Sequence, residues 1–167
     1  LGHAISRAIS RQRILDTVYL GAAEPVVTPV TPGHGAWHAA DVVPHARDLT
    51  EAARLLETIG LRDRDGDGMR EDNAGRDARI TLITQRGHTI RERTASIIQD
   101  DLRAAGLAVD VVALEVGSLI ARIGSGDYDA VLFGLQASSV DPALNLPFWL
   151  PRGAFHFCNP AHPEPAP

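Results

Sequence analysis

The feature that most constrains this chain is the alternation of patterns between Arg79 and Leu135. Arg79–Thr84 alternates as a strand does, Leu107–Ala113 is rich in valine, and Tyr128–Leu135 is a third short apolar run. Between the first two, Thr89 and Glu92 open a helix whose apolar face is Ala95, Ile98, Leu102 and Ala105, with Gly106 at its end. Between the last two, Val116–Ile123 gives a shorter helix. Strand, helix, strand, helix, strand at this spacing implies βαβ units with right-handed crossovers, and hence an α/β domain.

The upstream part is helical and extended by turns. Ile5, Ala8, Ile9, Leu15 and Val18 fall close to helical spacing over Ala4–Tyr19, and Gly21 closes that helix. Pro25, Pro29, Pro32 and Pro44 mark residues 22–46 as an extended connection. Asp48, followed three residues later by Glu51, starts a helix with Leu49, Ala52, Ala53, Leu55, Leu56 and Ile59 as its apolar stripe, and Gly60 ends it. The tail from 161 to 167 is expected to be disordered, and residues 1–160 to form one lobe.

Composition excludes several classes. A net charge of −5 is the wrong sign for a nucleic-acid partner, which needs a basic face. No window reaches the uninterrupted apolar length of a membrane helix. All 16 basic residues are arginine. Cys158 is the single cysteine, so no internal disulfide forms. No Gly-x-Ser-x-Gly elbow, paired-cysteine zinc motif or phosphate-cradling glycine loop is present, and Cys158 with its neighbour His156 lacks the arrangement of a nucleophile and base. A non-enzymatic role is expected.

The candidate binding feature lies where the third strand ends. Gly124–Asp129 is a polar turn, Ala130–Phe133 is apolar, and Gly134 to Pro142 continues with Gln136, Ser138 and Ser139 among small residues. In an open α/β sheet the carboxyl ends of strands face the ligand crevice, and little side-chain bulk lets a ligand approach the main chain. Gln136, Ser138 and Ser139 are therefore the first candidates. Arg86 follows the first strand, just before a helix N-terminus where an anion is favoured. Trp37 and Trp149 are candidate aromatic walls.

Two constellations suggest metals. Asp63, Asp65 and Asp67 alternate as in the first half of a calcium loop, with Gly68 at the sixth position, Glu71 at the ninth and Ala74 at the twelfth, where a bidentate glutamate belongs. A structural calcium there is one expectation, and a calcium-stabilised interaction or scaffold domain is the corresponding alternative function. His34, His38, His45, His156 and His162 contain imidazoles able to ligate nickel, but at no tight spacing. A nickel-receptor lobe is the third reading.

In order, Ala4–Arg11, Gly21–Pro25, Ala52–Leu61, the Asp63–Glu71 loop, Ile98–Gly106 and Gly126–Pro142 resemble one lobe of the family 5 extracellular solute-binding proteins, the peptide, dipeptide and nickel receptors of ABC importers. The resemblance runs from about residue 1 to 160 and is to the C-terminal lobe. It implies a periplasmic-binding-protein-like lobe with a βαβαβ core, a mixed sheet flanked by helices. It implies a periplasmic or extracellular location, capture of a peptide or other small polar solute between two lobes, and delivery to an ABC permease. In the peptide receptors an acidic residue before the Pro pairs with the ligand's α-amino group. That place falls on Ser138, which carries no charge, and so brings a sugar, an opine or another polar solute into range.

Overall fold

A computed structural model describes residues 1–28, 30–134, 150 and 153. Leu1–Pro25 and His45–Phe133 form one compact unit, and the described residues of Val26–Pro44 belong to a second. The second unit contains a short turn of 3₁₀ helix, Pro32–Trp37, opened by Pro32 and kinked at Gly35.

The first unit begins with two short helices, α1 (Gly2–Ala8) and α2 (Arg11–Thr17), where the periodicity predicts one. Ile9 is extended at φ −74°, ψ 127°, and Ser10 becomes an N-cap, its Oγ accepting from Arg13 N at 3.2 Å. Serine competes for backbone donors in this way and so favours a cap over a helix interior. The buried carboxylate of Asp101 fixes the break by accepting from Ser10 N at 2.8 Å. Arg13 Nη1 reaches Asp101 at 3.3 Å and Arg47 Nη2 at 3.6 Å.

Helix α3 (Leu49–Thr58) starts as its sequence demands, with Asp48 Oδ1 accepting from Glu51 N at 2.9 Å. Its Ala52 and Leu56 pack against Ala4 and Ala8 of α1, where the small alanines allow close approach of the two backbones. Gly60 leaves the helix at φ +87°, a conformation that costs a β-carbon-bearing residue energy.

Strands β1 (Arg79–Gln85), β2 (Ala108–Leu114) and β3 (Ala130–Leu132) make a sheet of order β2-β1-β3. Both pairings are parallel, from Arg79 opposite Ala108 to Gln85 opposite Leu114, and from Leu82 opposite Ala130 to Thr84 opposite Leu132. Antiparallel pairing among the described residues is confined to isolated bridges of Glu71 with Arg62 and Asp77. Helix α4 (Thr89–Arg103) links β1 to β2, and α5 (Val116–Ser125) links β2 back across to β3. The main core joins Ile80 and Leu82 of β1 to Ala95 and Leu102 of α4 and to Ala8 and Leu56. Ile83 points to the opposite face by strand alternation and is fully buried, as are Leu119 of α5 and, nearly, Ile123. Right-handed crossovers moving in opposite directions place α4 and α5 on opposite faces.

At the amino end of the sheet, Arg70 is a staple. Its amide donates to Gly106 O, its Nε to Ala105 O and its Nη1 to Leu61 O, at 2.8, 3.0 and 3.0 Å. Gly106 sits at φ +83°, and a β-carbon there would come within 2.8 Å of Arg70 Cγ.

Candidate functional site

The order β2-β1-β3 points to a candidate site before any side chain is considered. The chain leaves β1 toward β2 and returns from β2 to β3 on the far side of β1, so β1 and β3 flank a topological switch point. In open α/β sheets ligands bind in the crevice at the carboxyl ends of strands at such a point. Here those ends are Thr84–Arg86 and Leu132–Phe133.

Thr84 is fully buried and its Oγ1 donates to Leu132 O at 3.0 Å, which ties the two strands together where they end. Gln85 follows, half-buried, and Arg86 N continues the ladder to Leu114 O at 2.8 Å. Gly87 turns the chain at φ +76°, and its amide donates to Glu92 Oε1 at 2.9 Å. The N-cap of α4 is His88, one residue before the Thr89 that the pattern suggests, with Nδ1 3.5 Å from Arg91 N.

The arginine that the sequence nominates, Arg86, is exposed and turned to Glu115 at the end of β2, 3.8 Å away. The arginine at the switch point is Arg91. Its Nη1 donates to Gln85 Oε1, and its guanidinium lies 5.3 Å from the centre of the Phe133 ring. A cation over an aromatic face at this range gains about 0.5–1 kcal/mol when partly exposed. Sequence reading passed over Arg91 because its partners are six residues before it and 42 after; the one local signal is a basic residue in the first turn of a helix, where the dipole disfavours it.

The other nominated residues fall elsewhere. Gln136, Ser138, Ser139 and Trp149 lie outside the described residues, as does the tail from 161. Trp37 belongs to the second unit, at the end of its 3₁₀ turn, and is 64% exposed. In that unit His34 Nδ1 is 3.0 Å from Thr31 Oγ1, and His38 Nδ1 is 2.7 Å from Val30 O. In the first, the rings of His3 and His45 meet edge to face at 6.0 Å. Among the described residues no histidine joins a group of three or more metal-competent side chains.

The acidic loop does form such a group. One oxygen from each of Asp63, Asp65, Asp67 and Glu71 lies within 4.8 Å of all the others. Backbone donors shape the loop: Asp63 accepts from Gly66 N and Gly68 N at 2.8 and 3.1 Å, Asp65 from Asp67 N at 3.2 Å, and Asp67 from Met69 N at 2.7 Å. Gly68 makes the sharp turn at φ +89°. Glu71 is buried at the ninth position, with Oε2 accepting from Arg64 N at 2.8 Å. An all-oxygen donor set of this size fits a hard cation, although Ala74 leaves the twelfth position without a ligand. Just beyond, Asp72 accepts from Arg76 N, from the Arg76 guanidinium and from Ala74 N, which together hold its carboxyl down to about 2.

Known proteins bear directly on these arrangements. Residues 3–155 match the family described as bacterial extracellular solute-binding proteins, family 5 Middle. A probable ABC transporter-binding protein of Deinococcus radiodurans is 28% identical over 138 residues, which is 79% of this chain and 23% of that protein. The crystal structure of NikA from Brucella suis in complex with Fe(III)-EDTA superposes with a TM-score of 0.79 at 26% identity, covering 96% of this chain and 32% of that one. The oligopeptide-binding protein AppA of Bacillus subtilis, solved with a nonapeptide, gives 0.72 at 26% identity, covering 83% and 28%. This chain thus spans about a quarter to a third of the length of these relatives. No described helix is long and apolar enough to cross a membrane. Fold, element order and match agree, and the chain belongs to the family 5 bacterial extracellular solute-binding proteins.

Proposed function

We propose that this chain supplies part of the ligand-binding surface of an ABC importer's substrate-binding component, which captures a peptide or other small polar solute outside the membrane between two lobes and presents it to a permease. The observation that carries this reading is the parallel switch point itself. The carboxyl ends of β1 and β3 present an amide, a guanidinium and an aromatic ring together, a set suited to a polar ligand with an apolar part. Gln136, Ser138 and Ser139, which follow Gly134 in sequence, are proposed as ligand contacts, and Arg86, Trp37 and Trp149 are further candidates. Lobe closure is a hinge motion, and peptides held in this manner pair largely through their main chains. Titration of the ¹⁵N-labelled chain with dipeptides and with neutral oligosaccharides tests the proposal. Amide shifts confined to residues 84–91 and 132–134 with either class support it. Shifts scattered over the surface, or none with either, overturn it.

A second reading concerns the acidic loop, favoured by the convergence of its four carboxylate oxygens. Asp63, Asp65, Asp67 and Glu71 would hold a calcium ion as a structural clip between α3 and β1. A calcium-dependent rise in melting temperature that Asp65→Asn removes supports this, and a melt unmoved by millimolar calcium overturns it. Saturation at about a hundredfold over Kd would add about 2.7 kcal/mol.

A further inference from the structure

We propose that a cleft at the amino ends of β1 and β2 binds a free aliphatic α-amino acid as its zwitterion, at the opposite end of the sheet from the switch point. The cleft has a volume of about 300 Å³. Gln99 and Arg103 of α4 line it together with the first residues of β2, and Met69 and Asp77 line it from the segment that leads into β1.

Two of its charges are spent and two are not. Arg79 Nη1 donates to both oxygens of Asp110 at 2.9 and 3.0 Å, so that pair satisfies itself across the strands. Asp77 stands 3.9 Å from Arg79 Nη2, beyond hydrogen-bond distance, and its carboxylate accepts no hydrogen bond among the described residues. Among the same residues Arg103 donates no side-chain hydrogen bond and has no carboxylate within 4.0 Å. Other exposed arginines share that state. What distinguishes Arg103 is that an unspent carboxylate lines the same cleft without reaching it.

The two arginines and two aspartates sum to zero, so a monovalent ion leaves an uncompensated charge there and a zwitterion does not. An α-amino acid carries the matching pair, a carboxylate for the Arg103 fork and an ammonium for Asp77. Met69 and Ala108 supply apolar surface for its side chain.

The lining is fixed before any ligand arrives. Gln99 Nε2 donates to Val109 O at 2.7 Å and ties α4 to β2. Met69 N donates to Asp67 Oδ1 at 2.7 Å, and Arg70 N to Gly106 O at 2.8 Å, which hold the loop to the end of α4. Ala78 N donates to Arg70 O at 2.6 Å and seats Asp77 beside them. Little ordering is left for the ligand to drive. A single exposed ion pair contributes little, so recognition needs both poles and the apolar surface together, and a Kd of about a millimolar is expected.

The test follows Arg103 Nε–Hε, the Gln99 side-chain amide and backbone amides 108–110 in the ¹⁵N-labelled chain. L-leucine, N-acetyl-L-leucine, which lacks the ammonium, and L-leucinamide, which lacks the carboxylate, are the probes. The expected result is saturable movement with leucine and about tenfold weaker binding of each analogue. Arg103→Gln and Asp77→Asn should each weaken leucine about tenfold, while Arg93→Gln, at an exposed position earlier on α4, leaves it unchanged. Both cleft positions are at the surface, and the analogue series on the parent chain decides the matter if either variant fails to fold. Equal binding of all three probes, leucine binding that survives both substitutions, or no shift at these groups in tens of millimolar leucine would overturn the cleft. Leucine shifts confined to residues 84–91 and 132–133 would also overturn it, and would assign leucine to the switch point instead.

Discussion

Replacing Asp101 is the most informative perturbation of the fold. Its side chain is 4% exposed and accepts from Ser10 N at 2.8 Å and Arg13 Nη1 at 3.3 Å, with Arg47 Nη2 as an ion-pair partner at 3.6 Å. Arg13 and Arg47 are 45% and 38% exposed, so water can recover both when the carboxylate is lost. Ser10 N is the donor that loses a short, charge-assisted bond at the α1–α2 break. A hydrogen bond to a charged group contributes about 1.5–3 kcal/mol, and breaking a fully buried pair costs about 3–5. The exposed arginines place Asp101→Ala at the lower part of that span, about 2–3 kcal/mol. Asp101→Asn keeps an acceptor for Ser10 N and gives up only the charge, which should cost about 1–2 kcal/mol. Urea denaturation followed by circular dichroism reads both as shifts in midpoint at constant slope. If Asp101→Asn proved as damaging as Asp101→Ala, the hydrogen bond to Ser10 would not be the dominant contribution. If both lost less than about 0.5 kcal/mol, the size of an ordinary surface change, the carboxylate would not fix the break at all.

Three further outcomes are expected. Gly106→Ala should destabilise by about 1–3 kcal/mol, because φ of +83° is strained for alanine and the new methyl meets Arg70 Cγ at 2.8 Å; an Arg70→Ala background should relieve part of the loss in a double-mutant cycle. Leu56→Ala, at a fully buried site between α1 and α3, should cost about 2–5 kcal/mol in the same denaturation assay. The Asp72 carboxyl, lowered from 3.8 to about 2, stabilises the fold above 3.8 and loses that contribution as the pH falls through about 2. The stability gap between the parent chain and Asp72→Asn should therefore close between neutral pH and pH near 2, and a gap independent of pH would refute the assignment.

Much of the fold was legible because its signals are local. Asp48 with Glu51, Gly60, and Gly106 after Ala95, Ile98, Leu102 and Ala105 each act within a few residues, and each stands where its pattern puts it. The spacing of three apolar runs was enough for parallel order. The break at Ser10 was not legible, since the group that fixes it lies 91 residues on. For the same reason the site was legible as a place and not as a set of residues. Strand order points to the carboxyl ends of β1 and β3 as the candidate place, whereas Arg91 reaches Phe133 across 42 residues and Arg86 pairs with Glu115. Among the described residues β3 pairs with β1 only through Ala130–Leu132.

The staple at Arg70 and the cluster at Gln85, Arg91 and Phe133 sit at opposite ends of one sheet, and their separation has an evolutionary consequence. Ile80, Leu82 and Leu56 carry burial in the main core, and Thr84 is fully buried at the carboxyl end, while Gln85, Arg91 and Phe133 contribute none of the fully buried core. Single substitutions at Gln85, Arg91 or Phe133 can then change the chemistry of that end while leaving the folding free energy nearly untouched. A lobe of this construction is an evolvable one, and related proteins sharing the same frame have been solved with partners as different as a nonapeptide and Fe(III)-EDTA.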